Sequence, residues 1–323
     1  LAACSSGNAA STPAPADTST PTDTAAPSEG ATYTVGICQL VTHDALDAAT
    51  QGFMDALNEA LPGQVEFDVQ NAAGDSNTCS TIVNSFVADG VDLILANATP
   101  ALQAATAATA DIPILGTSVT EYGVALNIQG FDGTVGGNVS GTSDLAPLDQ
   151  QAAMIYELFP DAETVGLIYC SAEANSQYQV DTVKAELEKL GYTCELYPFA
   201  DSNDAAAVTQ TACDASDVIY VPTDNTVASN TGIVDNICQP AGVPVVAGEE
   251  GIAKGCGVAT LSISYYDLGV TTGKMAAQIL TGEADISSMP IAYAENFTPK
   301  YNPVICEALG LTLPENYVAI DME

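Results

Sequence analysis

"YTVGICQLVTHDALDAATQGFMDALNEALP", residues 33–62, sets out the repeating unit from which the rest of the chain can be read. Residues 33–38 form a short apolar run bounded by polar positions, the pattern of a strand buried on both faces. Residues 45–62 then place Leu46, Ala49, Phe53, Met54, Leu57 and Leu61 at helical spacing. A buried strand feeding an amphipathic helix is the first half of a βαβ unit. Working outward, the alternation predicts strands at 65–70, 91–96 and 112–115 and helices at 77–88 and 100–110. It pauses at "EYGVALNIQGFDGTVGGNVSGTSD" (121–144), rich in Gly and Asn. It resumes with helix 145–159, strand 164–169, helix 175–190, strand 192–197, helix 204–213, strand 217–221, helix 226–238 and strands 243–247 and 257–263. A long amphipathic helix (265–280), a strand (291–297), a short helix and a tail complete the chain. The residues therefore predict an α/β fold of two doubly wound, parallel-sheet halves with a Gly-rich join.

Composition narrows the function. The chain has 323 residues, 47% of them apolar, enough for two cores. No run approaches the ~18 apolar residues of a membrane span. Lys and Arg together number five against 41 acids, for a net charge of −36. Phosphate backbones and anionic lipid both require basic residues, so nucleic acid is excluded as a partner and docking on a lipid surface is disfavoured. All five basic residues are Lys, so any bound carboxylate must be met by hydroxyls, backbone N–H groups, helix N-termini or Lys instead of a guanidinium fork.

Catalysis is poorly provided for. His43 is the sole histidine, and no GxSxG, P-loop or HExxH pattern occurs, so no catalytic residue and no cofactor is expected. The nine cysteines show no CxxC spacing, which argues against a zinc site. Eight of them, all but Cys4, either pair as disulfides outside the cytoplasm or serve as small buried hydrophobes.

Residues 5–31 are Ser, Thr, Ala, Pro and Gly with a few acids, a composition expected to remain disordered. Leu1-Ala2-Ala3-Cys4, just before it, resembles the bacterial lipobox, whose cysteine becomes the lipidated mature N-terminus. The expectation is a body tethered outside a membrane, its only membrane contact the anchor at Cys4, with a signal peptide removed ahead of it.

In open parallel sheets, ligands bind beyond the carboxyl ends of the strands. The residues there are Gln39, His43 and Asp47; Asn97 and Thr99; Thr117, Ser118 and Thr120; Ser171, Glu173, Asn175 and Ser176; Thr223, Asp224 and Asn225; and Glu249 and Glu250. Each could be a helix N-cap; as a set they offer hydroxyls for a carboxylate and acids for an ammonium. That chemistry suits a zwitterionic amino acid.

These stretches, together with "GICQLVTHDALDAATQGF", "TPALQA", "NVSGTSDLAPLDQQ", "IYCSAEANS", "VPTDNTV", "EEG" and "YYDLGVTTGKMAAQIL", resemble the substrate-binding proteins of ABC importers, of the tryptophan/tyrosine type. The resemblance covers residues 33 to about 310. It implies a Venus-flytrap of the periplasmic binding protein type I kind, with three crossover segments. The lobes would comprise 33–142 plus 265–290 and 143–264 plus 291–323, with 1–31 as the tether. It further implies that helix 265–280 packs on the first lobe and strand 291–297 returns to the second. The ligand would be a small molecule, an aromatic amino acid by family preference, and the partners an ABC permease and its ATPase. Carried over residue by residue, the contacts are Gln39, Leu46, Thr99, Ser118, Thr120, Thr142, Ser143, Asn175, Asp224 and Glu250, with Asp224 assigned to the ammonium. The chain contains no Trp, so stacking would fall to Tyr122, Phe131 or Tyr266. The competing expectations are a sensing ectodomain of the same fold, or a nucleoside or sugar as the ligand.

Overall fold

A computed structural model describes residues 32–322; the tether and Cys4 lie outside the described residues. The first sheet is built from β1 (Tyr33–Gln39), β2 (Val65–Asn71), β3 (Leu93–Asn97), β4 (Ile114–Val119), β5 (Val139–Ser143) and β11 (Ala292–Tyr293). Their spatial order is β11-β5-β4-β3-β1-β2, and every pairing is parallel. Helices α1 (Asp44–Ala60), α2 (Ser76–Asp89), α3 (Thr99–Ala108) and α4 (Tyr122–Ala125) connect them.

The second sheet contains β6 (Thr164–Cys170), β7 (Thr193–Phe199), β8 (Val218–Val221), β9 (Val245–Ala247), β10 (Ala259–Ser262), β12 (Thr298–Tyr301) and β13 (Val318–Ala319). Its order is β13-β12-β10-β9-β8-β6-β7; β12 runs antiparallel to β10, and β13 follows β12. Its helices are α5 (Leu148–Leu158), α6 (Ala174–Lys189), α7 (Ser202–Ala215), α8 (Asn225–Ala228), α9 (Thr231–Ala241), α10 (Glu250–Cys256) and α12 (Pro303–Leu309), while α11 (Tyr265–Leu280) returns to the first lobe. Both lobes share the strand order 2-1-3-4-5, which puts the switch-point crevices at β1/β3 and β6/β8.

The chain crosses between lobes at 144–147, 263–264 and 294–297. The two-lobed α/β reading holds, with particular corrections. The Gly-rich join contains a full strand, β5, and the segment read as strand 291–297 divides. Ala292–Tyr293 pairs with Thr142–Ser143 in the first sheet, and Ile291 is buried in the first core. The return to the second sheet is made by β12, against β10. The reading of helix 226–238 also splits, into α8 and α9, and α10 was not anticipated.

Helix α11 packs on α1 through facing small residues. A Cβ on Gly269 would stand 2.0 Å from the Ala49 carbonyl oxygen, and one on Gly52 would stand 2.1 Å from that of Tyr266. Only glycine permits backbones this close. All eight cysteines of the described residues are buried free thiols, and the Sγ atoms of Cys213 and Cys238 lie 2.7 Å apart. No helix among the described residues is long and apolar enough to cross a membrane.

Candidate functional site

The site lies where the carboxyl ends of the two sheets face each other. The lobes are shut: His43 Nε2 meets Asn225 Oδ1 at 3.1 Å across the cleft, and the Tyr265 side chain lies near Thr223 of the second lobe. Burial holds the His43 imidazole below its ordinary pKa, outweighing the Asn225 contact and the nearby Glu173, Asp47 and Asp44, which pull it up.

The first-lobe wall rests on a buried polar frame. Asn97 Nδ2 donates to Leu46 O and Thr50 Oγ1, Thr50 Oγ1 donates to Gln39 Oε1, and Gln39 Nε2 donates to Asp47 Oδ1. Two residues on this wall carry strained backbones: Ala98 has φ 93° and Ser118 has φ 54°. A non-glycine residue there costs of order 1–3 kcal/mol, a strain that gathers at ligand sites. Ala98 opens α3 without a side-chain cap, so the first-turn N–H groups of Thr99 and Ala101 receive no capping side chain.

On the second lobe, Glu173 is 5% exposed and accepts from Asn175 Nδ2, Asn225 N and Nδ2, and Thr226 N and Oγ1. Asp224 accepts from Cys170 N, Ser176 Oγ and Val227 N. Burial, with Glu173 beside it, pushes the Asp224 carboxyl up to about 7. Glu249 caps α10 through Gly251 N and Ile252 N, and burial raises it to about 7.

The residues carried over from the sequence therefore separate. Thr99 Oγ1, Ser118 Oγ and Asn175 Oδ1 are buried without a hydrogen-bond partner. Thr120 is also buried, with its side chain close to Asp144. The others are engaged by the protein. Gln39 locks β1 to α1, and Leu46 lies in the first apolar core. Thr142 bonds Thr117 and Thr272 beneath α11. Ser143 donates to Thr120 O and accepts from Leu145 N in the first crossover. Glu250 pairs with Lys300 at 2.6 Å. Asp224, read as the ammonium partner, is a helix cap that also ties β6 to β8. Tyr122, read as a stacking ring, is core: it is 1% exposed, donates to Thr142 O and fills the space over Gly116 and Gly141.

Sequence reasoning passed over Asp144 and Tyr265. Asp144 follows β5 directly, so recognising that strand would have added it to the carboxyl-end set. A groove of about 560 Å³ opens between the lobes beside this hinge, lined by Asp44, Glu249, Glu250, Ser264, Tyr265 and Lys300 among others. Among the described residues no cluster of His, Cys, Asp and Glu could hold a metal ion.

Residues 34–322 match the family described as ABC transporter substrate binding protein. The chain is 36% identical over 260 residues to the "Tyrosine-binding protein" of Clostridioides difficile (strain R20291), covering 80% of this chain and 75% of that one. Its structure resembles a Streptococcus pneumonia ABC domain in complex with L-Trp, with TM-score 0.85 and 34% identity, covering 90% of this chain and 100% of that one. It also resembles the ligand-free, open structure of a Clostridium difficile substrate-binding protein with adhesive properties, with TM-score 0.69 and 38% identity over 90% and 100% of the two chains. The fit is better to the liganded structure although the sequence is nearer to the open one, in keeping with a shut cleft here.

Proposed function

This chain belongs to the family of ABC transporter substrate-binding proteins, and from that premise we propose that it captures an aromatic α-amino acid in its cleft and delivers it to a membrane permease driven by an ATPase. As a substrate-binding protein of an ABC transporter it is extracytoplasmic. The lipobox-like Leu1-Ala2-Ala3-Cys4 supports a lipid anchor at Cys4.

One observation carries the ligand reading. Thr99 Oγ1, Ser118 Oγ and Asn175 Oδ1, contributed by both lobes, are buried in the shut cleft with no partner. Burying a polar group unpaired costs on the order of 1–3 kcal/mol, so such a set is stable when a bound molecule completes it. Two hydroxyls beside the uncapped start of α3 are suited to a carboxylate, and the chain has no Arg to do the work otherwise. Each charge-assisted bond contributes about 1.5–3 kcal/mol, so three or four reach the roughly −8 kcal/mol of a micromolar complex. The relatives bearing tyrosine and L-Trp in their descriptions support the aromatic class.

Isothermal titration of the protein with the common amino acids, a nucleoside set and a sugar set tests this. Saturable binding of L-tyrosine, L-phenylalanine or L-tryptophan is expected. Binding only of sugars or nucleosides refutes the ligand class.

A further inference from the structure

Resting on the amino-acid reading above, we propose that Asp144, not Asp224, is the counter-ion that receives the ligand's ammonium group. Asp144 is 4% exposed and stands in the first crossover, immediately beyond β5. Its Oδ2 accepts from the Tyr265 hydroxyl at 2.7 Å and the Thr120 side chain stands close to the carboxylate, while its Oδ1 has no partner at hydrogen-bond distance. A buried carboxylate oxygen without a donor is unstable unless something supplies one.

The other buried acids of the cleft are already satisfied. Asp224 takes Cys170 N, Ser176 Oγ and Val227 N; Glu249 takes Gly251 N and Ile252 N; Glu173 holds the Asn225–Thr226 turn with both oxygens. Neither Asp224 nor Glu173 has an oxygen left open to a ligand in the way Asp144 Oδ1 is.

Its position also fits. Val119 pairs with Ser143, and Asp144 N donates to Val119 O at 3.2 Å, so Asp144 sits beside Ser118 and Thr120 on the neighbouring strand end. Adjacent strands are about 4.8 Å apart. An α-amino acid carries ammonium and carboxylate on one carbon, so its two subsites must sit on adjacent elements. The hydroxyls at the ends of β3 and β4 and the carboxylate at the end of β5 satisfy that requirement. Tyr265 extends the arrangement to the second lobe, its hydroxyl lying among Asp144, Thr223 and Glu249. An ammonium held on Asp144 is thus held at the hinge, by a residue bonded to the first turn of α11 just past the second crossover.

The test is titration of wild type, Asp144→Asn, Asp144→Ser and Asp224→Asn with L-tyrosine and with its des-amino analogue 3-(4-hydroxyphenyl)propanoate, melting curves recorded alongside. Wild type is expected to prefer L-tyrosine by about 100-fold, and both Asp144 variants to lose that preference while still binding the analogue. Asp144→Ser serves should the amide variant not fold. Wild type binding the analogue as tightly as L-tyrosine refutes an ammonium site while leaving the aromatic reading intact. Loss of preference in Asp224→Asn with Asp144→Asn unchanged, or equal loss of both ligands in the Asp144 variants, also overturns the assignment. Wild type binding neither L-tyrosine nor L-tryptophan refutes the ligand class, and this inference with it.

Discussion

Replacing Gly269 by Ala tests the joint that holds the C-terminal helix to the first lobe. The added Cβ would stand 2.0 Å from Ala49 O, 2.8 Å from its carbonyl carbon and 3.0 Å from its Cα. All three are backbone atoms of α1, so no side chain can rotate away. Relief requires α1 and α11 to part by about 1 Å, which opens gaps along the rest of a close-packed seam. Overpacking of this kind costs about 1–3 kcal/mol, and rigid backbone places this site at the upper end. Better helix propensity of Ala over Gly returns about 1 kcal/mol, leaving a net loss of roughly 2 kcal/mol. With an unfolding entropy near 2.1 cal/mol/K per residue, a body of about 290 residues has roughly 0.6 kcal/mol/K, so the melting temperature should fall by about 3 °C. Gly232→Ala is the control. Gly232 sits exposed in α9 with nothing within 4 Å of its added Cβ, so that variant should melt at or slightly above wild type. Differential scanning calorimetry reads both. A Gly269→Ala protein melting within a degree of the Gly232→Ala protein refutes the packing argument.

Further expectations concern closure, ligand and ionisation. His43→Ala removes the bond to Asn225 across the cleft, so ligand affinity should weaken about fivefold and small-angle scattering should show a more open average; equal affinity means the contact is incidental. Thr99→Val keeps shape but removes an unpartnered buried hydroxyl, and should weaken amino-acid binding about tenfold with little change in melting; unchanged affinity removes Thr99 from the site. Burial raises the carboxyls of Asp144, Asp224 and Glu249, so the native state keeps protons that the unfolded chain has released. Stability should therefore decline as pH rises from about 4 through about 7, which melting curves between pH 5 and 8 will check; the lowered His43 opposes this only below its ordinary value. Cys213 and Cys238, 2.7 Å apart, should form a disulfide with an oxidised-thiol reagent, giving a protein about 2 Da lighter and more stable by about 3 kcal/mol; a mass unchanged after oxidation refutes this.

Much of the architecture was legible because a buried parallel strand and an amphipathic helix each leave a pattern in neighbouring residues. Residues 33–38, 164–169 and 265–280 have those patterns and fold accordingly. The absence of Arg likewise determined the kind of anion site available, since composition alone settles which donors exist. Strand β5 was not legible. Its Gly141 has φ 147° and faces Gly116 and Tyr122 so closely that a side chain would collide, so the strand lacks the apolar run that marks the others. The division of the polar residues was not legible either. Gln39 and Asp224 are polar residues at strand ends just as Thr99 and Ser118 are, yet the former bond residues 11 and 54 positions away, while the side chains of the latter have no partner. Wherever a strand has an apolar run, local periodicity was enough to show which side chains reach the edge of its sheet; at β5 it was not. Which of their atoms remain for a ligand was decided only in the tertiary structure, because that depends on distances between elements remote in the chain.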